Sequence, residues 1–335
     1  MTQARDLADL AGAADAGTIT GRNLIINGAM AVSQRGDVTG ITGADIYGGA
    51  DRFATNGSSF GTVSLVQEAD APEGFAYSQR VKFTTARSTT NTSDHFIIGT
   101  RLEGQNLQHL NKGTSNAESV TLSFYAKASQ STTIQLELYD VDNARHAGKE
   151  FAITTSWAKY SYTFAGDTTG AFDNDNALSL MVLFWLSSGT DFTSGTNPDG
   201  SWIANTNTRR VHSDVGTTFM DTLNAEFNLT GVQLEVGSTA TSFENESYGT
   251  TLAKCFRYFE ANVKSWGTSR YADGIMHSPG YYKVRKRSAP TLTLVRDTYS
   301  NAPLIQRSDE DMYVTYDNAG ASASMDVGYD VNAEL

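Results

Sequence analysis

Cysteine is almost absent: Cys255 is the only one in 335 residues. Neither an intramolecular disulfide nor a cysteine-built zinc site can form, and a chain of this length buries a sizeable core without such staples. Positive charge is the scarcer sign, 25 Lys and Arg against 37 Asp and Glu, giving a formal net charge of -12. Repulsion from polyanions argues against nucleic acid as a partner. Long apolar runs are missing as well. The longest, LSLMVLFWL at residues 178–186, falls far short of the roughly 20 residues a membrane helix needs. No membrane insertion is expected. The N-terminal MTQARDLADLAGAADAG lacks the apolar centre of a signal peptide, so synthesis in a cytoplasm and a soluble product are the expectation.

Catalytic signatures are scarce too. There is no P-loop and no GxGxxG, and the histidines His95, His109, His146, His212 and His277 are scattered without an HExxH pair. The stretch GSSFG at residues 57–61 formally matches the nucleophile elbow of esterases. That elbow must lead into a helix, whereas the pattern from Val63 to Val66 that follows is a strand. The run Asp173, Asn174, Asp175, Asn176 offers oxygen atoms to calcium but lacks the glycine and distant glutamate of an EF-hand loop, so it reads as a solvated turn and no cofactor is expected. Glycoside hydrolysis needs two carboxylates with no fixed spacing, and 37 acids single out no pair. An α/β barrel or a parallel β-helix pattern, the usual frame for such chemistry, is not present. No catalytic residue is assigned.

What the chain does have is period-two alternation between Gly-, Asn-, Ser- and Asp-rich turns, from about residue 23 to 245. Val120, Leu122, Phe124 and Ala126 share one face of a strand, with Thr121, Ser123, Tyr125 and Lys127 on the other. Ile134, Leu136 and Leu138 repeat the pattern, as do Tyr160, Tyr162 and Phe164, then Val232, Leu234 and Val236. These are half-buried strands of an antiparallel sandwich. The run at 178–186 is apolar on both faces, so it is either a central strand covered on both sides or a strand that meets another subunit. Trp157 and Trp185, in strands, read as packing residues.

Between residues 187 and 219 the alternation lapses into a connection far longer than usual, the kind that carries function. Sugar binding needs an aromatic face flanked by amides and acids. Trp202, with Asp199, Asn205, Asn207 and Arg209 around it, fits that pattern as well as it fits a tryptophan tucked under its own loop. After residue 245, Leu252, Cys255, Phe256 and Phe259 fall at i, i+3, i+4 and i+7, which predicts a short linking helix over 246–264 with a single apolar face. That face suits an oligomer interface, and a lone thiol upon it is a small hydrophobe before it is a nucleophile. Short strands then return in a small C-terminal β domain, 265–335, where KVRKR at 283–287 reads as the solvated face of a strand. Residues 1–22, with Arg5, Leu7 and Leu10, form an arm too short to be a stable helix alone, read as ordering against a partner.

Several segments in order resemble bacteriophage tail-fibre and virion fibre proteins. They are GRNLIINGAMAVSQRG with the following ADRF, RLEGQNLQHL before SVTLSFYAKAS, GVQLEVGSTATSFE leading into SYGTTLAKCFRYFE, a Lys/Arg-rich strand before Ala289, Pro290 and Thr291, and the final AEL. The resemblance implies an all-β chain: a jelly-roll antiparallel β-sandwich like that of carbohydrate-binding modules, opened by a strand with an Asn-Gly turn and followed by the small C-terminal β domain. It also implies a homotrimer on a virion, made in the bacterial host cytoplasm, attached to another virion protein through the arm and binding host surface polysaccharide. A purely structural fibre or decoration protein, and a polysaccharide depolymerase, are the competing readings. The loop at 187–219 has no counterpart in the resemblance, so no binding residue is carried across.

Overall fold

Leu180, Val182, Phe184 and Leu186 of one strand are buried on one face, while Leu183 and Trp185 are buried on the other. A strand of this composition needs a cover on each side. In the computed structural model, which describes residues 21–88, 91–267, 276–297, 304–316 and 325–335, it receives both. The chain divides into two units, Met1–Ser247 and Tyr248–Leu335.

The first unit is an antiparallel sandwich of jelly-roll type. One sheet has seven strands in the order β12 (Ile203–Ala204), β9 (Arg145–Ile153), β8 (Thr132–Asp140), β11 (Leu178–Ser188), β6 (His95–Glu103), β3 (Ala54–Ser58) and β2 (Ile46–Tyr47). The other has six: β1 (Val38–Ile41), β4 (Thr62–Glu68), β5 (Ser78–Thr85), β13 (Glu226–Val236), β7 (Val120–Ala128) and β10 (Ala158–Phe164). Aromatic rings stitch the two inner faces together. Phe124 of β7 meets Phe184 of β11 edge-on at 5.0 Å, and Phe83 of β5 meets Phe96 of β6 at 4.9 Å. Each such pair adds roughly 0.5–1.5 kcal/mol beyond the area it buries. The inward residues of β7, β8 and β13 are those the alternation predicts, with one exception. Val236 is 40% exposed, because it is the last residue of its strand.

The N-terminal segment corrects an expectation. Residues 23–34 form no strand but a turn held by side chains. Asn23 Nδ2 donates to Val232 O at 3.0 Å and its Oδ1 accepts from Leu234 N, while Asn27 bonds Val32 and the Asp51 carbonyl. Two asparagine side chains thus do what a ladder does elsewhere. Gly28 is required here, since a Cβ would lie 2.0 Å from Val232 O. Glu244 completes the closure by accepting from the backbone N–H groups of Gly21 and Asn23. The segment that carries Glu244 is itself tied to β13: Gln233 accepts from Glu244 N at 2.7 Å, and Glu235 accepts from Thr241 N and Oγ1.

A buried ammonium closes one end of the sandwich. Lys112 Nζ lies against the carboxylates of Asp140 and Asp167, the latter at 3.2 Å, and donates to the carbonyls of Thr169 at 2.9 Å and Gly170 at 2.8 Å. The Phe172 and Trp202 rings lie 5.1 and 5.5 Å away. Four oxygens converge on one cation that the chain itself supplies.

The second unit begins with a helix, α3 (Tyr248–Phe256); the four-residue helices α1 (Thr190–Thr193) and α2 (Thr218–Asp221) belong to the first unit. The helix is shorter than the expected 246–264. Its apolar face continues in the sequence, but Phe259 already pairs with Asn332 in a strand, so Phe259 leaves the face that Leu252, Cys255 and Phe256 share. Two three-stranded sheets follow, β14 (Phe259–Gly267), β19 (Met325–Asn332) and β16 (Thr291–Asp297) in one, β15 (Met276–Tyr281), β18 (Asp311–Tyr316) and β17 (Leu304–Arg307) in the other. They share a core of Val263, Met312, Val314, Val327, Tyr329 and Val331. KVRKR is not a strand face. It is an irregular segment in which Lys286 is 1% exposed, paired with the buried Glu260 at 2.8 Å and donating to Phe256 O. A carboxylate arriving on β14 makes this burial possible, and the run of basic residues does not reveal it.

Replacing Lys112 by Met leaves the buried Asp140 without its cation, while Asp167 keeps Arg145 through two bonds of 2.7 and 3.0 Å, so stability should fall by about 3–5 kcal/mol. Urea unfolding of the full chain measures this, and a loss below about 1 kcal/mol would mean that the carboxylates take up protons or water at little cost.

Candidate functional site

The long connection after β11 folds back across the outer face of the seven-stranded sheet and supplies the cover that Leu183 and Trp185 need. Val211 and Val215 pack with Ile97, Leu183 and Trp185 in a second apolar cluster, and the Phe192 ring sits 5.1 Å from that of Trp185. The connection is two-armed. Gly195 N donates to Thr208 O at 2.6 Å, Val211 N to Phe192 O at 3.1 Å, and Asn197 Nδ2 to the carbonyls of both Arg209 and Arg210. Its apex is fastened to the sheet by Gly200 N, which donates to Gly148 O at 2.7 Å, and by β12 pairing with β9.

One buried charge pair pins the loop. Arg210 grips Glu137 through two bonds, Nε to Oε1 at 2.8 Å and Nη2 to Oε2 at 2.7 Å, while Trp185 Nε1 donates to Oε2 at 2.8 Å. The guanidinium lies between the Tyr139 and Trp185 rings, 4.8 and 4.9 Å from their centroids. His146 Nδ1 is 3.3 Å from Glu137 Oε1, without the alignment of a hydrogen bond. Burial alone would push the Glu137 carboxyl up, but the Arg210 charge leads the opposing effects and holds it at about 2, against an ordinary 4.5.

Beside this anchor, the two arms and the sheet enclose a polar pocket of about 370 Å³, within the range of small-molecule sites. Its floor is Glu150 of β9; Thr196, Asn197 and Asp199 come from one arm, His212 and Ser213 from the other. Gln135 lies opposite Glu150 in the β8–β9 ladder, on the same face, and its Oε1 accepts from His212 N at 3.3 Å. Asp199 is ion-paired with Lys149 at the rim, in a left-handed backbone conformation of φ 48°.

The residues singled out from the sequence are distributed unevenly around this site. Asp199 lines the pocket. Trp202 does not: its Nε1 donates to Ala165 O at 3.0 Å and its ring packs on the main core, beside a void of about 20 Å³ that also touches Lys112. That void holds roughly one water. Arg209 Nε is committed to Thr196 O at 2.8 Å, Asn207 is exposed at the start of a 3₁₀ turn, and Asn205 is tied through its backbone N–H to Ala144 O. Glu150, His212, Gln135, Glu137 and Arg210 were missed. Alternation along TTIQLELYD marks Gln135 and Glu137 as outward, which reads as solvent unless a cover is known to lie there. Of the proposed interface residues, Cys255 and Phe259 are 1% and 5% exposed, while Leu252 and Phe256 are half-buried, with Lys283 Nζ 4.2 Å above the Phe256 ring. Arg5, Leu7 and Leu10 lie outside the described residues.

The esterase-like GSSFG joins β3 to β4 with Ser59 at φ 55°, and no helix follows it. The Asp173 to Asn176 run is a turn bonded to Gln105, Gln108 and Asp142. Among the described residues no group of three or more His, Cys, Asp or Glu is placed to hold a metal ion, and no helix is long and apolar enough to cross a membrane.

No protein-family model and no curated protein matches the chain. Among solved structures it is similar to the enzymatically active domain of tailspike protein 4 of bacteriophage CBA120, at 10% identity and a TM-score of 0.35, over 64% of this chain and 21% of that one. It is also similar to TmCBM61 in complex with beta-1,4-galactotriose (10% identity, TM-score 0.33, 65% and 100% of the two chains). A third is the CBM22-1 xylan-binding domain of Paenibacillus barcinonensis Xyn10C (12% identity, TM-score 0.31, 61% and 98%). The chain therefore spans about a fifth of the tailspike structure and nearly all of the two binding modules. Likeness at this level concerns the layout of strands, and nothing about binding follows from it.

Because the folded carboxyl of Glu137 lies below its ordinary value, the stability it contributes is full above pH 4.5 and is lost as pH falls toward about 2. Glu137→Gln should be less stable than the parent chain at neutral pH, and the gap should narrow between those two values. Urea midpoints across that window test this; a gap constant with pH would contradict the anchoring role.

Proposed function

We propose that the chain is a non-catalytic, receptor-binding fibre protein of a bacteriophage that recognises host cell-surface glycans through the loop-covered pocket. The observation that carries the reading is the pocket's composition. Carboxylate, amide, hydroxyl and imidazole groups line a solvent-open hollow of about 370 Å³ fixed to a rigid sheet, and sugar hydroxyls need such convergent donors and acceptors. The Asp199 carboxylate is engaged by Lys149, which leaves Glu150 as the carboxylate at the floor. A hydrolase needs two carboxyl groups in complementary roles.

Attachment to a virion rests on the ordered fibre-like segments and on the arm at residues 1–22, which would dock on another virion protein. A homotrimer would follow the same resemblance, with the half-buried Leu252 and Phe256 as its first candidates for contact, since Cys255 and Phe259 are already buried within the chain. Linked copies matter for function because single glycan contacts are weak, and avidity strengthens attachment by roughly a hundredfold or more.

Purified full-length protein should bind host cells and slow phage adsorption to them. Absence of both effects would favour a purely structural fibre, and release of new reducing ends from host polysaccharide would establish a depolymerase instead.

A further inference from the structure

The side chains that line the pocket differ in what they still have to offer a ligand. Asn197 is spent: its Nδ2 donates to the carbonyls of Arg209 and Arg210, both at 3.2 Å, and its Oδ1 accepts from Asp199 N at 3.1 Å. Asp199 is held by Lys149. Thr196 and Ser213 bring hydroxyls, which turn to give or to take a hydrogen bond. Glu150 brings a carboxylate whose Oε2 is shielded from solvent. His212 is the remaining polar side chain of the lining.

The arm that carries His212 also sets its tautomer. Asp214 N donates to Nδ1 at 3.2 Å, so Nδ1 is an acceptor and the neutral ring carries its hydrogen on Nε2. The Asp214 carboxylate does not compete for that role, since its Oδ2 lies 3.7 Å from Nδ1. On the other side of the ring, Nε2 is 3.9 Å from Glu150 Oε2, beyond hydrogen-bond range. The side chain is 33% exposed, and Nε2, unlike Glu150 Oε2, is not a shielded atom. Its backbone is fixed as well, with His212 N donating to Gln135 Oε1 at 3.3 Å and Val211 N to Phe192 O at 3.1 Å. The pocket therefore presents one N–H that is held in place, open to a ligand and unable to turn into an acceptor.

We propose that His212 is the specificity-determining donor of the pocket, its Nε2–H bonding an oxygen of the bound sugar: a ring oxygen, a hydroxyl oxygen or an N-acetyl carbonyl. This role rests on the glycan-binding reading above. A site built around a fixed donor rejects a sugar with a deoxy or methyl carbon at that position, because the N–H is then cut off from water and left unpaired.

The test is calorimetric titration of the full chain with solubilised host surface polysaccharide, comparing the parent with His212→Asn, His212→Gln and Thr196→Trp. Asparagine keeps an acceptor near the place of Nδ1 for Asp214 N but brings no donor to the place of Nε2, whereas glutamine extends its amide to that place. His212→Asn should weaken binding by about tenfold or more, His212→Gln should stay within about threefold of the parent, and Thr196→Trp, which fills the pocket from its exposed rim, should abolish binding. Circular dichroism confirms that the variants fold. Parental affinity in His212→Asn would overturn the proposal and mean that the N–H has turned onto Glu150. An equal loss in the asparagine and glutamine variants would also overturn it, since the shape of the ring rather than its N–H would then be read. Thr196→Trp binding as the parent does would overturn the pocket assignment, and no binding by the parent would overturn the glycan reading with it.

Discussion

A strand that is apolar on both faces obliges the fold to cover it twice. For β11 the first cover is the six-stranded sheet, and the second is the chain's own long connection, held down by Arg210 on Glu137. Taking both charges out of water costs several kcal/mol, which the bidentate geometry, the Trp185 N–H and the flanking rings must offset. The pair is specific in a way apolar contact is not, because only one register of the loop brings the guanidinium to the carboxylate. The same register brings His212 and Ser213 opposite Asn197 and Asp199. The pocket is a consequence of how the loop is anchored.

The division of labour follows the sequence closely. The fibre-like segments are those that close the scaffold: Asn23 and Asn27 at its start, Gln233, Glu235 and Glu244 near its end, bonded to one another or to the strands beside them. The connection that has no counterpart in that resemblance forms two walls of the pocket. A frame closed by its own side chains, with a separate loop walling the pocket, is an arrangement in which the loop can change without disturbing the core.

Much of the frame was legible in the sequence. Alternation placed Val120, Leu122, Phe124, Ile134, Leu136, Leu138, Val232 and Leu234 inward, and all are buried. The two-faced run was a central strand, one of the two readings its composition allowed. The site was less legible, for reasons that are long-range. Gln135 and Glu137 alternate outward and look solvated, and only the return of residues 210–212 across the sheet buries them. Trp202 fitted a stacking platform and a residue tucked under its own loop equally well, and its ring lies on the core and on Lys112. The helix was overextended because Phe259 falls in helical phase with Cys255 and Phe256, while its partner Asn332 lies 73 residues away in sequence. Lys286 was misread for the same reason, its counter-charge Glu260 being far along the chain.

The most direct measurement is hydrogen–deuterium exchange on the full chain with and without saturating solubilised host surface polysaccharide. Recognition through the loop-covered pocket predicts added protection at residues 195–199 and 212–213 and at Glu150 of β9, with the remaining strands unchanged. Protection confined to other loops, or none at concentrations where cells are bound, would contradict it.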